Sequence, residues 1–390
     1  MKQLLIFDPG MLSAFGHHYA YNSALRDAAK ELDLGVHWLF SNKLSQELAT
    51  GFTATPLPLP WSLYGVISKL DDVPVEALGG LATRLATGIG VRLDAIRSCP
   101  DIIFGHTLHP VVFLAILVWQ ASRPCDQRPT LALNLMFGVD ESVRCRSVLA
   151  HAAKLLKRDM NTALFAGTRS AAALLEQCTG HSAMMLPSPL PARVADYARP
   201  AGQSGPLFSL LGDARVGKNL QVLPEALLRY IHGGGCGRFV VRMAPTDAGI
   251  GPIFIALHDL SREFSAQITL SLERLSERDY YHSLGCSDAL VIPYDASAYT
   301  RFRPSGLVIE SAALGVPAIC AKGGFMEEEL AHLDNGSLFL DAVTPESLCE
   351  AFFVFEKEYA GRKQKALARA ANYRRSHNAK TVLRLICGAR

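Results

Sequence analysis

Two cations stand three residues apart in Leu211-Gly212-Asp213-Ala214-Arg215-Val216-Gly217-Lys218-Asn219, between an apolar run and a helical pattern. On a loop joining a strand to a helix, such a pair can neutralise the negative charge that gathers on a departing diphosphate. A second stretch, residues 290–317, offers what would complete a phosphate site. A buried strand ends at Pro293 and Tyr294, and a basic loop follows with Arg301 and Arg303. Ser305-Gly306-Leu307 then opens a helix expected to carry Glu310 in its first turn. The unpaired amides and partial positive charge of a helix N-terminus suit a diphosphate. Gly306 permits close backbone approach, Arg301 or Arg303 can add charge-assisted hydrogen bonds, and Glu310 can accept bonds from ribose hydroxyls. The plainer reading makes Glu310 a helix-dipole partner and the cations ordinary surface charge. The pairing of two such loops favours the site.

These loops need a scaffold that brings strand ends together. Short apolar runs with β-branched residues alternate with amphipathic stretches, the pattern of βα units around parallel sheets. Residues 4–7, 36–40, 102–104, 131–135 and 163–165 read as strands, and 19–32, 111–120 and 142–158 as helices. Prolines 187, 189 and 191, then the weakly hydrophobic stretch 200–206, mark a boundary. A second series follows, with strands at 207–211, 239–243, 268–272, 290–292 and 318–320 and helices at 219–231 and 307–314. The expected fold is α/β, two Rossmann-like doubly wound domains facing a cleft, with ligand at the carboxyl ends of the strands. The expected domains are 1–188, 189–372 and a C-terminal helix, 373–390, packing back on the first. Gly233-Gly234-Gly235-Cys236-Gly237 lacks the Lys-Ser/Thr of a P-loop and follows a helix, so it reads as a helix exit.

The 390 residues, 49% hydrophobic and 19% charged, suffice for two cores and exclude a disordered or fibrous chain. Thirty-nine basic against 36 acidic residues leave too little charge for an electrostatic nucleic-acid binder. The run Leu4-Leu5-Ile6-Phe7 is too short for a signal segment, and the apolar run 111–119 is too short to span a bilayer. Nine cysteines, Cys99 among them, form no C-x-x-C pair, so reduced thiols are expected and no metal site. The basic stretch from Lys357 to Arg390 reads first as a solvated helix face and second as a contact with an anionic membrane surface. The expected place is cytoplasmic, with peripheral attachment at the inner face of a membrane as the second reading.

The C-terminal half resembles the group 1 (family 4) retaining glycosyltransferases, which have the two-domain GT-B fold. The matching pieces are Gly212 to Lys218, Asp288 to Pro293, and Glu310 with Ala313, Gly315 and Pro317; Ser276-Glu277-Arg278-Asp279-Tyr280-Tyr281 resembles the helix ahead of the strand. This chain departs from the pattern at Phe302, where the family has a first glutamate, and at Asp213, where it has the loop arginine. In the N-terminal half, Gly16-His17-His18-Tyr19 occupies the place of the acceptor loop, with Gly16, His17 and His18 as acceptor-side residues. His106 is a fallback catalytic histidine, because the histidine expected on the following strand falls near Asn134; His109 shares the same stretch.

The resemblance implies glycosyl transfer from a nucleotide-diphosphate sugar to a glycan, glycolipid or other acceptor. It further implies retention at the anomeric carbon, with no metal and no cofactor beyond the donor itself. Arg215, Lys218, Glu310 and His106 are the expected catalytic residues. Gly212, Pro293, Tyr294, Arg301, Arg303, Ser305, Gly306 and Leu307 are expected to hold the donor. The alternatives are an inverting GT-B transferase or sugar-nucleotide epimerase, and a non-catalytic binding subunit. Inversion requires a general base, and no side chain announces itself as one in the sequence.

Overall fold

The computed structural model describes the chain except for residues 1–2, 15, 53–58, 97–99, 158–160, 202–204, 296, 298 and 389–390. Cys99, Arg158, Arg390 and part of the 200–206 stretch therefore lie outside the described residues. The chain divides into two compact units, Met1–Pro191 with His377–Arg390, and Ala192–Ser376. The change-overs fall a few residues later than the prolines and the basic run suggest.

The first unit runs β1 (Gln3–Asp8), α1 (Gly16–Glu31), β2 (Gly35–Phe40), α2 (Gln46–Thr50), α3 (Leu63–Ile67) and α4 (Leu78–Leu93). It continues with β3 (Ile102–Leu108), α5 (Pro110–Ala121), β4 (Thr130–Leu135), α6 (Val143–Leu156), β5 (Thr162–Ala166), α7 (Arg169–Thr179) and β6 (Ala183–Met185). All pairings are parallel, in the order β2-β1-β3-β4-β5-β6. Strands covered on both faces must be apolar throughout, and Leu4, Leu5, Ile6 and Phe7 are all buried. The apolar run at 111–119 is the interior of α5, started by His109 as N-cap and Pro110 at the first position. No helix among the described residues is long and apolar enough to cross a membrane.

The second unit runs β7 (Leu207–Ala214), α8 (Leu223–His232), β8 (Arg238–Pro245), α9 (Gly251–Glu263), β9 (Ile268–Ser271) and α10 (Glu277–Cys286). It continues with β10 (Ala289–Ile292), α11 (Gly306–Leu314), β11 (Ala318–Ala321), α12 (Phe325–Leu333), β12 (Leu338–Leu340) and the long α13 (Pro345–Ser376). Its parallel sheet has the order β12-β11-β10-β7-β8-β9. The glycines at 233–237 are the exit from α8: a Cβ on Gly235 would lie 2.3 Å from the Tyr230 ring, and one on Gly237 2.6 Å from Phe208. Close packing explains Gly233, Gly235 and Gly237, and Gly234 takes a left-handed φ of 84°.

The cations of the C-terminal stretch mostly serve the fold. Lys363, fully buried, donates to the carbonyl oxygen of Ser287 at 2.6 Å, just past α10, and Arg374 donates to that of Ala313 in the last turn of α11 at 2.6 Å. Cations at helix carboxyl ends satisfy orphan carbonyls and the dipole together. Lys365 pairs with Asp334 at the end of α12. The last helix, α14 (Ala379–Gly388), belongs to the first unit, where Val382, Leu383 and Ile386 join Tyr21 and Leu25 in one core.

Candidate functional site

Each sheet reverses its strand order once, and each reversal gathers polar side chains. In the second unit the switch lies between β7 and β10, the place where open α/β sheets bind ligands. Gly217 (φ 88°) and Asn219 (φ 50°) take left-handed conformations on either side of Lys218, and the lysine turns inward, only 6% exposed. Its Nζ stands 4.8 Å from the centroid of Tyr294. Burial, and next the neighbouring Arg215, bring the ammonium down to about 8. Arg215 donates to the Tyr299 hydroxyl at 2.7 Å, and the Tyr299 ring lies 4.5 Å from that of Tyr294. Arg303 sits over the same ring, its guanidinium carbon 4.6 Å from the Tyr299 centroid. Arg215, Lys218 and Arg303 thus converge on one tyrosine pair. Like charges held together disfavour the charged forms, and a bound anion relieves the repulsion. A cavity of about 560 Å³ adjoins this group, with Arg215, Gly217, Gln221, Ile250 and Asp295 in its wall.

The structure does not gather all the expected donor residues equally. Arg301 lies over Phe302, 5.0 Å from the ring centroid, and not over the tyrosine pair. Phe302, which stands where the resemblance has a first glutamate, is itself buried. Gly212 (φ 100°) would place a Cβ 4.0 Å from Lys218 Nζ, so the glycine leaves room beside the cation. Ser305 makes no side-chain cap bond to α11, and a Cβ on Gly306 would meet nothing within 4 Å. The first amides of α11, with Leu307 at the second position, lack intrahelical partners by construction.

Glu310 lies one turn beyond Gly306, not in the first turn as expected. Its carboxylate reaches α10, where Oε2 accepts from the Tyr280 hydroxyl at 2.5 Å and Oε1 from Tyr281 at 3.2 Å. Burial raises it to about 7, against the opposing effect of the two tyrosine bonds. Tyr281 is in turn stacked on Tyr197, centroids 5.8 Å apart.

In the first unit the switch lies between β1 and β3. Asp8 ends β1 and is fully buried. Its Oδ1 is 2.8 Å from His18 Nδ1, and its Oδ2 accepts from Asn22 Nδ2 at 2.6 Å. Burial alone would raise its carboxyl, but His18, His106 and these hydrogen bonds hold it well below the usual carboxylate range. An ionised Asp8 only accepts, so His18 Nδ1 carries the proton, and in the neutral ring Nε2 then accepts from the Tyr64 hydroxyl 3.1 Å away. A Cβ on Gly10 would strike the His18 ring at 2.0 Å, so this position admits no larger residue.

His106 is wholly buried under Tyr21, whose ring is stacked 4.4 Å above it, and burial brings it down to about 4. Its Nε2 lies 2.9 Å from Asn22 Oδ1 and its Nδ1 2.6 Å from Thr107 Oγ1. Thr107 has φ 59°, a strained value for a β-branched residue. His106 therefore supports the network from below. His109 is the N-cap of α5, and burial brings it down to about 4. His17 is exposed, 4.3 Å from the His18 ring, and Gly16 starts α1 with φ 82°.

Ligand atoms of Asp8, His18 and His106 lie within 4.8 Å of one another. Each of them already has a hydrogen-bond partner, through Asn22, through Gly10 N–H or within the trio. Such saturation is that of a proton network and does not fit an ion cradle. Asp8, Asn22 and Tyr64 escaped the reading of the sequence. The one available signal was an aspartate closing an apolar run, in Ile6-Phe7-Asp8-Pro9.

No family profile matches the chain, and no curated protein does. Solved structures do. HepE of Anabaena, in complex with UDP, is similar over 100% of this chain and 99% of its own, at 12% identity and a TM-score of 0.66. Sucrose-phosphate synthase from Thermosynechococcus elongatus is similar over 100% and 98%, at 11% identity and a TM-score of 0.64. A putative UDP-N-acetylglucosamine 2-epimerase from Listeria monocytogenes is similar over 100% and 96%, at 13% and 0.58. At these identities the likeness is one of fold. The chain has the GT-B architecture of two Rossmann-like α/β units.

Proposed function

We propose that this chain is a glycosyltransferase that takes a sugar from a nucleotide-diphosphate donor. The observation that carries the reading is the convergence of Arg215, Lys218 and Arg303 on Tyr294 and Tyr299 at a sheet switch point. Cations gathered on a tyrosine pair suit a diphosphate, which they can bind through charge-assisted hydrogen bonds and stabilise as it departs. HepE, of the same fold, holds UDP in its crystal structure. In the proposed reaction Arg215 and Lys218 stabilise the departing diphosphate, the first amides of α11 receive its oxygens, and Glu310 accepts from the ribose. The acceptor, a glycan, glycolipid or other hydroxyl compound, binds to the first unit near His17 and His18. No cofactor or metal enters the expected reaction.

Retention follows from the resemblance to family 4. Inversion is the second reading, and the Asp8–His18 pair favours it, because direct displacement calls for a base. The epimerase alternative has only a shared fold behind it. An electrostatic membrane contact has less support than the basic composition suggests, since Lys363, Lys365 and Arg374 serve intramolecular partners. Incubation with UDP-glucose, GDP-mannose and ADP-glucose, followed by NMR, tests the proposal. It is expected to show release of the nucleoside diphosphate, and the anomeric coupling of the product separates retention from inversion. Absence of turnover with every donor, with or without added sugars, counts against the transferase.

A further inference from the structure

We propose that Tyr64, on α3, is the exposed end of a proton relay that ends on His18 and Asp8, and that His17, Phe137 and Tyr64 form the sugar-acceptor platform around it. The inference rests on the transferase reading in its inverting form and extends it to a residue that has no place in the motifs described above.

The relay is continuous in hydrogen bonds. Tyr64 Oη lies 3.1 Å from His18 Nε2, and His18 Nδ1 lies 2.8 Å from Asp8 Oδ1. His18 is 5% exposed and Asp8 not at all, whereas Tyr64 is 39% exposed. A solvent-borne hydroxyl therefore reaches the dyad through the phenol before it reaches the imidazole. Asp8 on β1 faces one nitrogen of His18 and Tyr64 on α3 the other, and His17 and His106 are the neighbouring imidazoles. Asp8 stabilises the imidazolium that uptake creates.

The mouth of the relay is aromatic. Phe137 lies 6.2 Å from His18, 6.3 Å from Tyr64 and 5.6 Å from His17, centroid to centroid. Rings of this kind, with a few polar tips, suit a carbohydrate, whose C–H faces are apolar and whose rim is hydroxylic. The strained Thr107, bonded to His106 beneath the cluster, fits the tendency of strain to gather at functional sites.

The chemistry balances without any further reagent. The acceptor hydroxyl gives its proton to the Tyr64 oxygen while the phenolic proton passes to His18 Nε2. The acceptor oxygen forms the new bond to the anomeric carbon, and the bond from that carbon to the diphosphate breaks with its electron pair. Tyr64 ends as it began, and His18 returns its proton to solvent once the product has left.

The test uses the full chain. Saturation-transfer NMR with millimolar methyl glucoside, mannoside and galactoside is expected to show contact for at least one of them, lost in Phe137→Ala. Contact by none of the three overturns the platform. In turnover, Tyr64→Phe keeps the ring but removes the proton outlet, and kcat is expected to fall about 100-fold with KM for the sugar unchanged. A kcat within about twofold of wild type overturns the relay, since a general acid–base role is worth at least tenfold more. If the wild-type chain turns over none of the nucleotide sugars, the transferase reading fails. Saturation transfer that is lost in both Phe137→Ala and Tyr64→Ala then supports the sugar site alone, and its persistence in both variants overturns it.

Discussion

Arg215→Ala is expected to lower turnover of the accepted nucleotide sugar by about 10²- to 10³-fold, the typical loss when one preorganised donor to a developing negative charge is removed. The guanidinium has two duties: it bonds the Tyr299 hydroxyl at 2.7 Å and stands next to the inward-facing Lys218. Steady-state kinetics separate them. If the charge acts on the leaving diphosphate, kcat falls more than KM rises. The pH dependence has a definite sign. Lys218, brought down to about 8, loses its charge as the pH rises through that value, so affinity for a nucleoside diphosphate should weaken above pH 8. Removal of Arg215 takes away a neighbouring positive charge, and the weakening should then begin at higher pH. Unchanged kinetics in both Arg215→Ala and Glu310→Ala would contradict the assignment of the donor site.

Asp8→Ala should have the largest effect on the first unit, a loss of about 3–5 kcal/mol, because several buried donors lose their acceptor at about 1–3 kcal/mol each. It leaves His18 Nδ1, an Asn22 amide proton and the Gly10 N–H without their acceptor. Wild-type Asp8 has a depressed carboxyl, so its stabilisation is present above the unfolded value near 3.9 and lost as the pH falls below it. The variant should lack that acid-sensitive component. All three tryptophans, Trp38, Trp61 and Trp119, belong to the first unit. Their fluorescence in a urea titration therefore reports the affected unit without the other. A midpoint equal to that of wild type would contradict the role given to Asp8.

The parts of the fold and site that were legible in the sequence are those that local chemistry fixes. An apolar run such as Leu4-Leu5-Ile6-Phe7 is a buried strand because a parallel sheet is covered on both faces. Arg215 and Lys218 were visible because their spacing and their place after a strand carry meaning without any partner. Glu310 was visible as a residue, but its engagement by Tyr280 and Tyr281 was not. That geometry depends on α10 and α11 being packed side by side, with their carboxyl ends fastened by Lys363 and Arg374. Asp8 reads as the end of a strand, and only the fold places His18, Asn22 and His106 around it. Tyr64 is harder still, since a five-residue helix such as α3 leaves almost no periodic signal. The basic stretch misled in the other direction: charge at the end of a long helix looks like a surface, yet Lys363 is buried and serves as a cap.

Isothermal titration of the full chain with UDP, GDP and ADP measures most directly whether the group around Tyr294 and Tyr299 is a nucleoside-diphosphate site. One of the three is expected to bind at or below about 1 mM, near −4 kcal/mol, and to bind at least tenfold more weakly to Lys218→Ala. No heat of binding from any of them at millimolar concentration would contradict a diphosphate site at Tyr294 and Tyr299, as would equal affinity in the Lys218 variant.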